Sequence, residues 1–167
     1  LPQPKPEAEP VLSGRACFKE TITTKLQHMY VTDLSQCIIS APGPVGSIHV
    51  KNVTQAIVSL VSDGPVFIHD FTDAILIVKC HQLRVHNTKN VKLFMDVGSK
   101  RAIIEQCSAL TVGLYPGSQN MVEIDDFSWP TKNQANPHYD FSTESPNYNW
   151  VDSIGDGSLS PEVVRRL

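Results

Sequence analysis

Cysteine is scarce and scattered in this sequence. Four occur, Cys17, Cys37, Cys80 and Cys107, and none forms a C-x-x-C pair. That spacing argues against a zinc framework and predicts buried, unpaired thiols in a reducing compartment. Strong net charge is missing as well. The formal balance is −3, so no basic footprint for nucleic acid or for an anionic membrane is expected. No apolar run reaches the roughly 18 residues of a membrane helix, and no integral membrane segment is expected. The signatures of a nucleophile elbow, a P-loop, an H-E-x-x-H zinc site and an EF-hand are all missing. The reading is therefore of a chain that is not itself an enzyme and takes no cofactor. The Asn52-Val53-Thr54 sequon is a triplet that arises often by chance.

A sustained 3.6-residue period is also lacking, which disfavours helices. What is present instead is short runs of Val, Ile, Leu and Phe broken by Gly, Pro, Asn and Asp. These predict strands. Residues Leu1 to Ser13 hold prolines at 2, 4, 6 and 10 and read as a linker. With no start methionine, that linker suggests a further domain upstream. Residues 14–167 then read as one domain.

The strands recur. Segments beginning at Ile48, Val66, Leu83 and Ala102 align over nine positions with spacings of 18, 17 and 19 residues, and a fainter copy begins at Met29. The third column reads Val31, Val50, Ile68, Val85, Ile104. The fifth reads Asp33, Asn52, Asp70, Asn87, Gln106. Because side chains alternate along a strand, the first and third positions point inward and the second and fourth outward. A short polar side chain at the fifth suits a corner. This pattern predicts an all-β parallel β-helix of about five or six short coils, with an antiparallel sandwich as the alternative. The pattern stops after Leu114. The tail, residues 115–167, is expected to pack on the solenoid through Trp129 and Trp150 and to end in a short helix from Pro161.

The outward column singles out Arg84, between Phe67 and Ile103. Glu105 lies one rung up and two residues along, a diagonal of roughly 7 Å. It either orients the guanidinium or forms an ordinary surface pair contributing about 0–1 kcal/mol. His69, His86 and Glu105 form an outward ladder that is either a metal site or a polar face.

Cys80-His81-Gln82-Leu83-Arg84-Val85-His86 resembles the C-Q-Q-L/F-R-x-H/R signature of the tubulin-binding cofactor C family. Arg101-Ala102-Ile103-Ile104-Glu105, Ile124-Asp125-Asp126-Phe127-Ser128-Trp129 and Ser145-Pro146-Asn147 with Trp150 resemble its later motifs, in the family's order. The resemblance implies a right-handed parallel β-helix. It also implies an activator of GTP hydrolysis in tubulin folding that supplies Arg84 in trans as an arginine finger. Gln82, His81, Glu105 and Phe67 would line the GTPase interface. The implied partners are β-tubulin within the αβ-tubulin complex with cofactors D and E, and an Arf-like small GTPase. The implied location is cytoplasmic and cytoskeleton-associated. His81 departs from the family's glutamine. Other readings are a non-catalytic GTPase-binding effector, and a structural scaffold like the β-helix of cyclase-associated proteins, which lacks the arginine motif.

Overall fold

The computed structural model describes residues 9–131 and 133–167. Eleven strands form one continuous sheet: β1 (Leu12–Thr21), β2 (His28–Val45), β3 (Ser47–Ser62), β4 (Pro65–Cys80), β5 (Gln82–His86), β6 (Lys89–Val97), β7 (Arg101–Glu105), β8 (Ser108–Leu114), β9 (Glu123–Asp126), β10 (Tyr139–Phe141) and β11 (Gly157–Ser158). All ladders are parallel except the short one between β11 and β1. The chain is thus a parallel β-solenoid of about six turns, and the sandwich alternative falls. No described helix is long and apolar enough to cross a membrane.

The register is the one the repeat predicts. Met29 pairs with Ile48, Ile48 with Val66, Val66 with Leu83, and Leu83 with Ala102. Inward residues stack into one core in which Met29, Ile48, Ile68, Phe71, Leu83 and Ile104 are each at most 1% exposed. Two of the four cysteines, Cys37 and Cys80, have thiols that burial pushes up to about 12. They are protonated packing groups, not nucleophiles.

The coils from β1 to β8 each turn at two corners three residues apart. Asp33, Asn52, Asp70, Asn87 and Gln106 take positive φ at the first, as do Gln36, Gln55, Asp73, Asn90 and Ala109 at the second. That conformation normally costs an L-residue about 1–2 kcal/mol, least for Asn and Asp, whose short side chains bond locally. The corner side chains also bond to one another between coils. Asn52 Nδ2 donates to Asp33 Oδ1, Asn87 Nδ2 to Asp70 Oδ1 and Asn90 Nδ2 to Asp73 Oδ1, each at 2.7 Å.

Three expectations are corrected. The predicted linker runs too far: Leu12, 6% exposed, packs in the core, and Leu12 and Ser13 pair with Val31 and Thr32 in a first coil. Residues 1–8 of that linker lie outside the described residues. The solenoid also does not stop at Leu114. β9 stacks on β7 and β10 on β8, after a loop that Asn120 Nδ2 ties back to Asp96 Oδ1 at 2.9 Å. Finally, only one tryptophan anchors the tail. Val151 and Leu159 are its buried anchors, and they pack with Trp150 on Ile38, Ile57, Ile77 and Phe94 of the solenoid's outer side. Trp129 lies in a different loop, with its ring against His138. The helix α1 (Pro161–Val164) begins where proline predicted, capped by Ser160 Oγ accepting from the Val163 amide.

Phe71→Ala empties a fully buried site and is expected to lower the unfolding free energy by about 3–5 kcal/mol. Asn90→Ala loses a corner preference and one ladder bond and is expected to lower it by about 1–2 kcal/mol. Urea unfolding followed by circular dichroism measures both. A Phe71→Ala loss no larger than the corner's would contradict the single stacked core.

Candidate functional site

One outward side of the solenoid is left uncovered by the C-terminal tail, and it holds the predicted residues. Its central column runs Tyr30, His49, Phe67, Arg84, Ile103, Asp125, one residue per rung in direct register. Leu83 and Val85 anchor the β5 strand from inside at 1% and 2% exposure. Arg84 therefore projects outward, half-buried between Phe67 and Ile103. Among the described residues its guanidinium forms no ion pair. Arg101, on the next rung, is engaged instead: its guanidinium nitrogens lie 3.4 Å from Glu123 and 3.2 Å from Asp125.

The predicted companions are placed unevenly. Phe67 is Arg84's partner in the β4–β5 register. Gln82 is exposed two residues before Arg84 on the same strand. Glu105 pairs in register with His86 and lies diagonal to Arg84, and no ion pair joins it to the arginine in this structure. The orienting contact inferred from that diagonal is therefore not formed here. His81 occupies the bend before β5. Its amide donates to the Gly64 carbonyl, and its ring lies against Gly98, where a Cβ would come within 2.8 Å of Nδ1. A larger residue at 98 would displace that ring. His69 and His86 stack with ring centroids 5.4 Å apart, but with Glu105 they do not converge into a metal-holding group among the described residues.

Sequence reasoning missed the depth of the histidine ladder. His49 meets the tilted Tyr30 ring at 5.1 Å and the His69 ring edge-on at 5.0 Å, and His69 continues to His86. His49 Nε2 is buried with no hydrogen-bond partner. Burial first, then the neighbouring His69, His28 and Lys51, push the His49 pKa down to about 4. Burial and the neighbouring His86, Lys51 and Arg84 lower that of His69, with Asp70 opposing. The missed signal was the second and fourth columns read together, which place His49, His69 and His86 on adjoining rungs.

The D-D-F-x-W segment has a structural role of its own. Asp126, whose side chain is 3% exposed, accepts from Asn136 Nδ2, the Ser128 amide and the His138 ring. Burial pushes its carboxyl up, but these bonds outweigh it and hold the pKa below the usual value. The bonds tie the loop after β9 back onto the last coil.

Residues 26–141 match the family model described as Tubulin binding cofactor C. A protein named Tubulin-specific chaperone C from Homo sapiens is 30% identical over 161 residues, 83% of this chain and 45% of its own length. Its namesake from Mus musculus is 32% identical over 139 residues, 71% of this chain and 40% of its own length. A solved structure titled Tubulin Binding Cofactor C from Leishmania major aligns with a TM-score of 0.44 at 20% identity, over 81% of this chain and 87% of that one. The chain spans less than half the length of these curated relatives.

The His49 ring gives the open face an acid limit. An ordinary histidine titrates near 6.5 and the folded His49 near 4. The unfolded chain therefore binds the proton first. This contribution to stability is intact above about 6.5 and drains as pH falls toward about 4. His49→Phe keeps an aromatic ring between Tyr30 and Phe67. It is expected to lose less unfolding free energy than the wild type between about pH 7 and about pH 5. Denaturant titrations at the two pH values measure this, and equal losses in both proteins would refute the assignment to His49.

Proposed function

The chain belongs to the tubulin binding cofactor C family, and we propose that this domain stimulates GTP hydrolysis on a partner protein by presenting Arg84 in trans. Phosphoryl transfer builds negative charge on the γ-phosphoryl oxygens. A guanidinium brought to that position raises the rate by about 10³–10⁵-fold, provided that it is held in place. The observation that carries the reading is the setting of Arg84. It stands on a rigid rung between Phe67 and Ile103, with no carboxylate among the described residues engaged. An arginine already paired would have to give up its partner first.

The preferred partner is β-tubulin, within the αβ-tubulin complex with cofactors D and E, in a role in tubulin folding in the cytoplasm beside the cytoskeleton. The family match and the names of the relatives, Tubulin-specific chaperone C, support that choice. An Arf-like small GTPase is the second candidate. Gln82 and Phe67 flank Arg84 and are proposed to meet the GTPase. Glu105 would engage Arg84 only after a side-chain rotation on docking.

One observation favours a non-catalytic effector instead. His81 stands where the family has glutamine, and its ring lies beside Gly98. The two readings separate in single-turnover GTP hydrolysis with αβ-tubulin and cofactors D and E, and in parallel with an Arf-like GTPase. Arg84→Ala is expected to abolish stimulation while the unfolding midpoint stays unchanged. Arg84→Lys is expected to fail as well, because an ammonium lacks the planar fork. Stimulation undiminished in Arg84→Ala would sink the arginine-finger reading. Binding by the wild type without any rate increase would establish the effector.

A further inference from the structure

The open face is polarised in a way that the arginine reading does not require. Over the four rungs β2 to β5 its three outward columns hold no carboxylate. The ionisable groups with a basic side chain are His28, His49, Lys51, His69, Arg84 and His86. This occurs in a chain whose formal charge is −3. The nearest carboxylates stand around the face. Asp33 and Asp70 are at the corner, where Asn52 and Asn87 engage them. Glu105 and Asp125 belong to the rungs above, and Asp125 is spent on Arg101.

The same four rungs carry the aromatic rings. Tyr30, His49 and Phe67 form a run of ring contacts below Arg84, tilted at the first step and edge-on at the second, with centroid separations of 5.1 and 6.4 Å. At strand spacing the strip is about 14 Å tall. Another outward side, lined by Ile38, Ile57, Ile77 and Phe94, is covered by the tail, while the tail leaves this strip bare. Lys51 is exposed at its edge, one rung below His69.

We propose that the strip of Tyr30, His49, Lys51 and Phe67 is a docking surface for a carboxylate-bearing patch on the same GTP-binding protein that Arg84 serves. The inference rests on that reading for the identity of the partner, but not for the character of the surface. Aromatic rings supply desolvated contact area with little rotamer entropy to lose. A cation at the edge steers an acidic partner and sets the register. Continuity with Arg84 in one flat column places the patch beside the partner's nucleotide. Duplex nucleic acid and anionic membranes fit less well, since the depressed His49 and His69 leave Lys51 and Arg84 as the fixed cations over four rungs. Binding to phosphates by charge needs many more.

Direct binding tests this, using αβ-tubulin with cofactors D and E, loaded with a non-hydrolysable GTP analogue. Lys51→Glu is expected to weaken binding about tenfold at low salt and to flatten its salt dependence, while its unfolding midpoint matches the wild type. Lys51→Arg is expected to restore both. Wild-type affinity in Lys51→Glu overturns the proposal. So does a failure of the wild-type chain to bind, or Lys51-dependent capture of phosphatidylserine vesicles in its place. Arg84→Ala separates the two readings. If it still stimulates hydrolysis while Lys51→Glu loses affinity, the finger falls and the docking strip stands. If it is inactive while Lys51→Glu binds normally, the strip alone falls.

Discussion

A single coil of this chain cannot bury its own apolar side chains. Each coil supplies only a few inward residues, and the coils above and below must cover them at a strand spacing of about 4.8 Å. In-register stacking is therefore the constraint on which everything else depends. It fixes which residues share a column, from Met29–Ile48–Val66 inside to Tyr30–His49–Phe67–Arg84 outside. It also puts a condition on the corners. Successive coils up to β8 turn at the same two places, so the unfavourable left-handed backbone recurs there, and at three of the corner steps an Asn–Asp bond between coils offsets it.

Stacking produces two contrasting outer sides from one backbone. On one, Ile38, Ile57, Ile75, Ile77 and Phe94 face outward and would leave a large apolar surface in water. The tail covers it. Leaving the last coil, it runs back to the first, where Lys19 Nζ donates to the carbonyls of Val151 and Ile154. Thr21 bonds Asp156 through its amide at 3.0 Å and its hydroxyl at 3.1 Å. The Leu159 amide donates to the Cys17 carbonyl, and Arg166 lies over the Trp150 ring. The strap thus links both ends of a stack whose terminal coils have only one neighbour. The second side needs no cover, since its outward residues are mixed, and it remains available to a partner.

Much of this was readable in the residues. Five repeat copies named the inward columns, and their alignment became the hydrogen-bond register without a slip. The first coil escaped because Gly14 and Cys17 hold its corners in place of Asp and Gln, directly after a proline-rich stretch that composition assigns to a linker. The last coil escaped because the loop of residues 115–122 stretches the spacing to the 22 residues between Ala102 and Ile124. The covered side did leave a trace: Ile75-Leu76-Ile77-Val78 and Leu93-Phe94-Met95 are continuous apolar runs, as expected of strands buried on both faces. Arg84 was legible as an outward residue and, from its motif, as a functional one. Its freedom from an ion pair was not, because that depends on where the carboxylate of Glu105 lies, and register alone fixes only the backbone.

The contrast between Arg84 and Arg101 shows what the rung can select. Both project from adjoining strands of one rigid sheet, and both have carboxylates within a rung or two. Arg101 stands in the column beside Arg84's and meets Glu123 and Asp125, whereas Arg84 is flanked in register by Phe67 and Ile103. A guanidinium between two apolar side chains gains packing along its methylene stem while its head stays in water. It thereby loses part of the side-chain entropy, up to about 2 kcal/mol, that a free arginine would surrender on docking. Its charge is also left for an external anion. Placing a carboxylate at 103 or 67 would satisfy Arg84 within the fold and so remove the vacancy that a partner's phosphate is proposed to fill.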